Sequence, residues 1–153
     1  LDTKAISIRP YEKSDAIKVS HIIRDNLIKV NSKDYPETVI NYMTKLYTPE
    51  YVTLLSEDRD MYVAYEENVV VGTVSLEGDT LYALFVDVKY HGRGVGRKLL
   101  EFIENIASSN GIKTVQLPAS LTAYQFYQKY GYIPVQEIES EEFGKACIMK
   151  KDL

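Results

Sequence analysis

The chain has 153 residues, 45% of them hydrophobic and 26% charged, with a formal net charge of -4, the make-up of one soluble globular domain spanning residues 1–153. The acidic balance argues against a general nucleic-acid binder, which needs a broad basic surface, and no apolar run approaches the roughly 20 residues that cross a bilayer. Cys147 is the only cysteine, so no intrachain disulfide can form and a reducing compartment is expected.

The opening LDTKAISIRP lacks the basic-then-apolar layout of a secretory leader, so a cytoplasmic location is expected. AISIRPY alternates as a short strand does, and Ser14 is placed to cap the helix that follows. In SDAIKVSHIIRDNLIKV the set Ile17, Ile22 and Ile28 with Val19, Ile23 and Leu27 predicts one buried face. Pro36 and Pro49 read as first-turn prolines of short helices, the second capped by Thr48. MYVAYEE, VVVGTVSLE and TLYALFVDV are strands separated by turn signals at Glu67-Asn68 and Gly78-Asp79, which predicts an antiparallel meander.

A glycine-rich segment comes next, then a helix with Val95, Leu99, Phe102, Ile103 and Ile106 on one face, ended by Gly111. IKTVQLPAS predicts a strand, LTAYQFYQKYG a helix closed by Gly131, and YIPVQEI with KACIMKK a final strand pair. The predicted order is β-α-α-β-β-β-α-β-α-β-β. Helices against a mixed, mostly antiparallel sheet make this an α/β (α+β) domain.

The chemistry concentrates in FVDVKYHGRGVGRKLLEFIE, where Gly92, Gly94 and Gly96 alternate among Lys89, Arg93, Arg97 and Lys98. A helix start carries unpartnered N–H groups and partial positive charge, and glycines leave them open to an anion. Arg93, Arg97 and Lys98 would add to the field; the plainer reading is a tight turn with a solvated basic face. A Walker loop is excluded because Arg97 stands where its second glycine belongs, and the same residue breaks a dinucleotide fingerprint begun at Gly92.

His91-Gly92-Arg93-Gly94-Val95-Gly96 resembles the [QR]-x-x-G-x-[GA] loop of the GNAT family of acetyl-coenzyme A-dependent N-acetyltransferases. A second motif of that family, N-x-x-A-x-x-F-Y-x-x-x-G-[FY], is similar to Ser120, Ala123, Phe126, Tyr127, Gly131 and Tyr132 in this chain. Two departures stand out: His91 replaces the loop's first Gln or Arg, and Ser120, a sound N-cap, replaces Asn. The resemblance spans nearly the whole chain and implies acetyl-coenzyme A as cosubstrate. It implies that the backbone of Leu84, Phe85, Val86 and Val88 pairs with the pantetheine arm, as in strand addition. The amides from Gly92 to Arg97 would hold the pyrophosphate, with His91 and Ser120 as further candidate contacts.

By the same resemblance the Val86 N–H is the oxyanion donor and Tyr127 the general acid for the departing thiolate; as one of 13 tyrosines, Tyr127 also fits a core-packing role. The acceptor would be a small-molecule or protein amine attacking directly in a ternary complex, bound near His21, Arg24, Asp25, Tyr35, Tyr42 and Tyr47. The glutamates that family members use as a catalytic base are missing: the matching segments read Asp79-Thr80-Leu81 and Val115-Gln116-Leu117. Glu77, Asp79 and Asp87 are the nearby acids, each the kind of residue that sits solvated in a turn or edge. One cysteine and two separated histidines make no metal site. Transfer of a longer acyl group, and a non-catalytic acyl-coenzyme A-binding sensor or interaction module, are the rival readings; a homodimer is left open.

Overall fold

The computed structural model describes residues 5–153; the first four, part of the opening segment read above, lie outside the described residues. The elements are β1 (Ser7–Pro10), α1 (Ala16–Lys29), α2 (Glu37–Leu46), α3 (Pro49–Leu55), β2 (Asp60–Glu66), β3 (Val69–Glu77), β4 (Thr80–Val86), α4 (Val95–Ser109), β5 (Thr114–Ser120), α5 (Tyr124–Lys129), β6 (Ile133–Ser140) and β7 (Gly144–Asp152). Three helices separate β1 from β2 where the predicted order counts two, because Pro36 and Pro49 open separate helices. Pro36 precedes the first residue of α2, and the Thr48 hydroxyl accepts the Tyr51 N–H at 3.2 Å to cap α3.

The sheet has seven strands in the order β1-β2-β3-β4-β5-β7-β6. Every neighbouring pair is antiparallel except β4 with β5, as the mixed, mostly antiparallel expectation requires. The meander turns at Glu67 and Asn68, both at positive φ, and at Gly78. β3 is buried on both faces: Val71, Val74 and Leu76 pack under Val95, Leu99 and Ile103 of α4, while Val70 joins Val19, Ile22, Ile23 and Leu27 of α1. Gly72 permits the first of these contacts, since a Cβ there would stand 2.8 Å from Leu99 Cδ1. Among the described residues no helix is long and apolar enough to cross a membrane.

The predicted faces need two corrections. On α1, Ile17 and Ile28 are 74% and 58% exposed, whereas Ser20 and Asn26 are buried. Ser20 donates to the Tyr47 carbonyl at 2.6 Å, so the polar residue is satisfied inside the core. Ser14 does not cap the helix; it lies within a 3-10 turn, and Asp15 stands at the N-cap position without a side-chain bond to α1, its carboxylate instead accepting the Glu12 N–H at 2.8 Å and a two-pronged bond from Arg9. On α4 the buried set is rotated toward Leu100 and Ala107, leaving Phe102 and Ile106 half-buried.

What positions the site is the failure of β4 and β5 to stay together. They pair only at Thr80 and Gln116, reinforced by the Gln116 N–H on the Asp79 carbonyl at 3.0 Å. The Asp79 carboxylate clasps this junction, accepting from Gln116 Nε2 at 3.1 Å and from the Thr80 hydroxyl at 2.9 Å. Beyond it the strands part. β4 also bulges, with Ala83 at φ +52 and a register shift against β3 between Thr73 and Ser75, which bends the strand away from β5.

Candidate active site

A cleft of about 970 Å³ occupies the split between β4 and β5. Leu84, Phe85 and Val86 form its strand wall; His91, Gly92, Gly94, Val95, Gly96 and Arg97 close one end; Ser120 and Tyr127 face them from β5 and α5. Two predicted coenzyme contacts lie elsewhere. Val88 falls in a 3-10 turn after β4 has ended, outside the cleft wall, and the Arg93 guanidinium stands 4.8 Å from the centre of the Tyr90 ring, also outside it. The strand stops because Asp87 turns the chain, its carboxylate accepting the Lys89 N–H at 2.9 Å.

At the loop, Gly94 has φ +82 and nothing lies within 4 Å of where a Cβ would be. The left-handed backbone calls for glycine there, and the space beside it is open. α4 closes its first bond from the Lys98 N–H to the Gly94 carbonyl at 3.1 Å, so Val95, Gly96 and Arg97 present N–H groups with no acceptor inside the helix. Lys98, expected to add to the field, turns away and donates to the Ile6 carbonyl at 2.9 Å. Arg97 is paired with Glu101 at 3.2 Å on the surface.

Val86 is fixed by its neighbours. The Asp87 N–H bonds to the Val71 carbonyl at 2.8 Å, so the adjacent Gly72–Val86 pair is a non-hydrogen-bonded one and both Val86 backbone groups point away from β3, toward the cleft. Its carbonyl accepts from Asn26 Nδ2 at 2.8 Å and meets His91 Nε2 at 2.9 Å. A carbonyl only accepts, so His91 carries its proton on Nε2. Asn26 escaped the sequence reading although position 26 lies on the buried stripe of α1, four residues after Ile22. An amide on such a stripe is itself a signal that something across the core needs a donor.

Tyr127 is 8% exposed, with its ring edge-on to Phe126 and Tyr132 at 5.3 and 5.6 Å. Its hydroxyl has no hydrogen-bond partner among the described residues, and burial pushes its pKa up. It is a phenol that keeps its proton and has nowhere in the protein to place it. Ser120 ends β5 and accepts the Ala123 N–H at 3.1 Å, shaping the turn that leads into α5.

Of the six residues expected around the acceptor, Tyr35 and Tyr47 line the cleft; His21, Arg24, Asp25 and Tyr42 do not. Asp25 pairs with Lys29 at 3.0 Å along α1, and Tyr42 is 41% exposed with its ring edge-on to Phe143. Tyr35 bridges two segments, its hydroxyl donating to the Lys145 carbonyl at 2.6 Å and accepting the Leu121 N–H at 2.8 Å. Sequence reasoning missed Tyr51, Arg59 and Tyr82, which the fold gathers from α3, the start of β2 and β4; no local pattern marks them.

The nearby acids are all engaged outside the cleft wall. Glu77 pairs with Arg59 at 3.4 Å and Asp87 with Lys18 at 3.5 Å. The Gln116 and Thr80 hydrogen bonds hold the Asp79 carboxyl below the usual carboxylate range. Among the described residues Glu139, exposed on β6, is the one carboxylate that borders the cleft, and none of them form a cluster of metal-ligating side chains.

Comparison with known proteins agrees with this geometry. The family model of the acetyltransferase (GNAT) domain matches residues 26–153. The chain is 28% identical over 109 residues to the peptidyl-lysine N-acetyltransferase YjaB of Salmonella typhimurium, covering 69% of this chain and 74% of that protein. A GCN5-related N-acetyltransferase from Rhodopseudomonas palustris superposes with a TM-score of 0.93 at 25% identity, covering 100% of this chain and 99% of that one. The PaiA N-acetyltransferase of Thermoplasma acidophilum, solved in complex with coenzyme A, shares the fold at a TM-score of 0.79 and 20% identity, covering 97% of this chain and 99% of that one.

Proposed function

Since the chain belongs to the GNAT acetyltransferase family, we propose that it transfers the acetyl group of acetyl-coenzyme A to a primary amine by direct attack in a ternary complex. The observation that carries this reading is the Val86 peptide, held by Asn26 and His91 with its N–H turned into a cleft that Tyr127 faces from the other side.

In this reading the pantetheine arm lies along residues 84–86 as an added strand, and the pyrophosphate rests on the amides that open α4. Gly92 and Gly94 suit that role, because nothing stands within 4 Å of either position. The neutral amine attacks the thioester carbonyl, forming a C–N bond, and the carbonyl oxygen gains negative charge opposite the Val86 N–H. A fixed donor in a dry site is worth roughly 3 kcal/mol of barrier. The C–S bond then breaks, the thiolate takes the Tyr127 phenolic proton, the nitrogen loses its extra proton to solvent, and the phenolate regains a proton from solvent. Burial raises the pKa of the phenol, so it stays protonated until the leaving sulfur develops charge beside it.

The test is release of free thiol from acetyl-coenzyme A by the purified chain across a panel of amines. Thiol should appear only when an amine is present, with acetylated amine formed in equal amount. Thiol release that ignores the amine, or none with any amine, would overturn the reading.

A further inference from the structure

The amine-binding end of the cleft is chemically lopsided. Arg59 lines it with its side chain only 16% exposed. The guanidinium carbon stands 4.0 Å from the centre of the Tyr82 ring, a contact that occupies a face of the group and leaves its N–H edge free. Glu77, half exposed, pairs with it at 3.4 Å to Nε. No hydrogen bond from the Arg59 side chain to another described residue completes its set of five donors. Around it stand Tyr47 and Tyr51, edge-on to each other at 5.3 Å. Among the described residues the one carboxylate bordering the cleft is the exposed Glu139.

We propose, resting on the acetyl-transfer reading above, that the acceptor is a small primary amine joined by an apolar or aromatic spacer to a carboxylate, and that Arg59 receives the carboxylate two-pronged while Tyr47, Tyr51 and Tyr82 pack the spacer. A largely buried guanidinium with free edge donors matches a carboxylate in geometry and charge. The same guanidinium repels polycationic amines, which need a wall of acids. The spacer must reach from Arg59, beside Tyr82, toward Val86; these two β4 residues face Ser75 and Gly72 on β3, so the bulge at Ala83 brings them to about 10 Å of each other along the strand. An α-amino group beside its own carboxylate is too short.

The probe pair is 4-(aminomethyl)benzoate and 4-methylbenzylamine, alike except for the carboxylate, with spermidine as the polycation. Thiol release should give the carboxylate compound a kcat/KM at least tenfold above its uncharged match, through KM, and leave spermidine the poorest of the three. Arg59→Leu should bring the pair to within about threefold of each other, and Arg59→Lys should recover only part of the difference. Glu77→Gln, which removes the competing carboxylate without touching the guanidinium, should widen it and guards against an Arg59 variant that does not fold. Equal use of the pair by the unaltered chain, or preference for spermidine, would overturn this proposal and leave acetyl transfer standing. Absence of thiol release with every amine tried would overturn both.

Discussion

Asn26 and Val86 lie 60 residues apart in sequence and meet through one hydrogen bond, Asn26 Nδ2 to the Val86 carbonyl at 2.8 Å, while the same amide also donates to the Ile22 carbonyl at 2.9 Å. Through that side chain, α1 holds the end of β4 at the place where the sheet has come apart. Asn26→Ala should cost about 1–3 kcal/mol of stability, the range for a buried bond whose partner loses a donor. It should also lower kcat, since His91 alone would then hold the Val86 carbonyl. Denaturant unfolding and thiol-release kinetics on one preparation check both; a stability loss with unchanged kcat would make the contact structural only.

Tyr127 permits a sharper separation, because its hydroxyl has no partner among the described residues. Removing a hydroxyl that opens on the cleft and makes no hydrogen bond within the fold costs the fold little. Tyr127→Phe should therefore leave the thermal midpoint nearly unchanged, while kcat falls roughly 10- to 1000-fold, the range for a lost general acid partly replaced by water. Unimpaired turnover would return Tyr127 to core packing.

Gly94 distinguishes backbone strain from blocked access. At φ +82, alanine costs about 1 kcal/mol through the left-handed backbone alone. Gly94→Ala should weaken coenzyme A binding modestly by calorimetry, and Gly94→Glu should abolish it with the protein still folded, because a carboxylate beside the α4 amides competes with the ligand's own charge. Equal affinity in the glutamate variant would move the coenzyme away from this loop.

How much of this was legible depends on whether a signal is local. β3 and the meander were readable because alternation, positive-φ turn residues and glycine all act within a few positions. α1 was readable as a helix, but its buried face was not: Ile17 looks like core and is 74% exposed, while Ser20 and Asn26 are buried because Tyr47 and Val86 offer them acceptors. The glycine loop was legible from its own residues as a left-handed turn opening α4, although the direction of Lys98 depended on the Ile6 carbonyl, 92 positions away. The acceptor end was the least legible. Arg59, Tyr51 and Tyr82 share no sequence pattern, and only the bulge at Ala83 and the parting of β4 from β5 bring them to one cavity.

Asp79 ties the closed end of that split, and its pH dependence has a definite sign. Its carboxyl is held below the usual range by Gln116 and Thr80, so the native state favours the ionised form more than the unfolded chain does. The clasp therefore contributes above the ordinary carboxylate pKa of about 4 and is lost as pH falls through the lower folded value. Thermal midpoints of the unaltered chain and Asp79→Asn should differ most above pH 5 and converge toward pH 2. A constant difference across that range would show that the carboxylate's charge has no part in the clasp.

The last prediction concerns the proton that the amine must lose. Glu77, Asp79 and Asp87 are held by Arg59, by Gln116 with Thr80, and by Lys18, all outside the cleft wall, and Glu139 borders the cleft from an exposed position on β6. Among the described residues no carboxylate is held against the place where nitrogen would attack. An alkylamine with a pKa near that of lysine, about 10.4, is only about 0.1% neutral at pH 7.4. Solvent must supply the neutral form, so kcat/KM should climb about tenfold per pH unit until the acceptor itself titrates. Glu139→Gln, Glu77→Gln, Asp79→Asn and Asp87→Asn should each leave that slope intact. An aromatic amine, neutral throughout this range, should show no such rise. If kcat/KM for the alkylamine instead levels off near pH 7 and the plateau vanishes in one of the four variants, that carboxylate is the base, and the protein rather than solvent removes the proton.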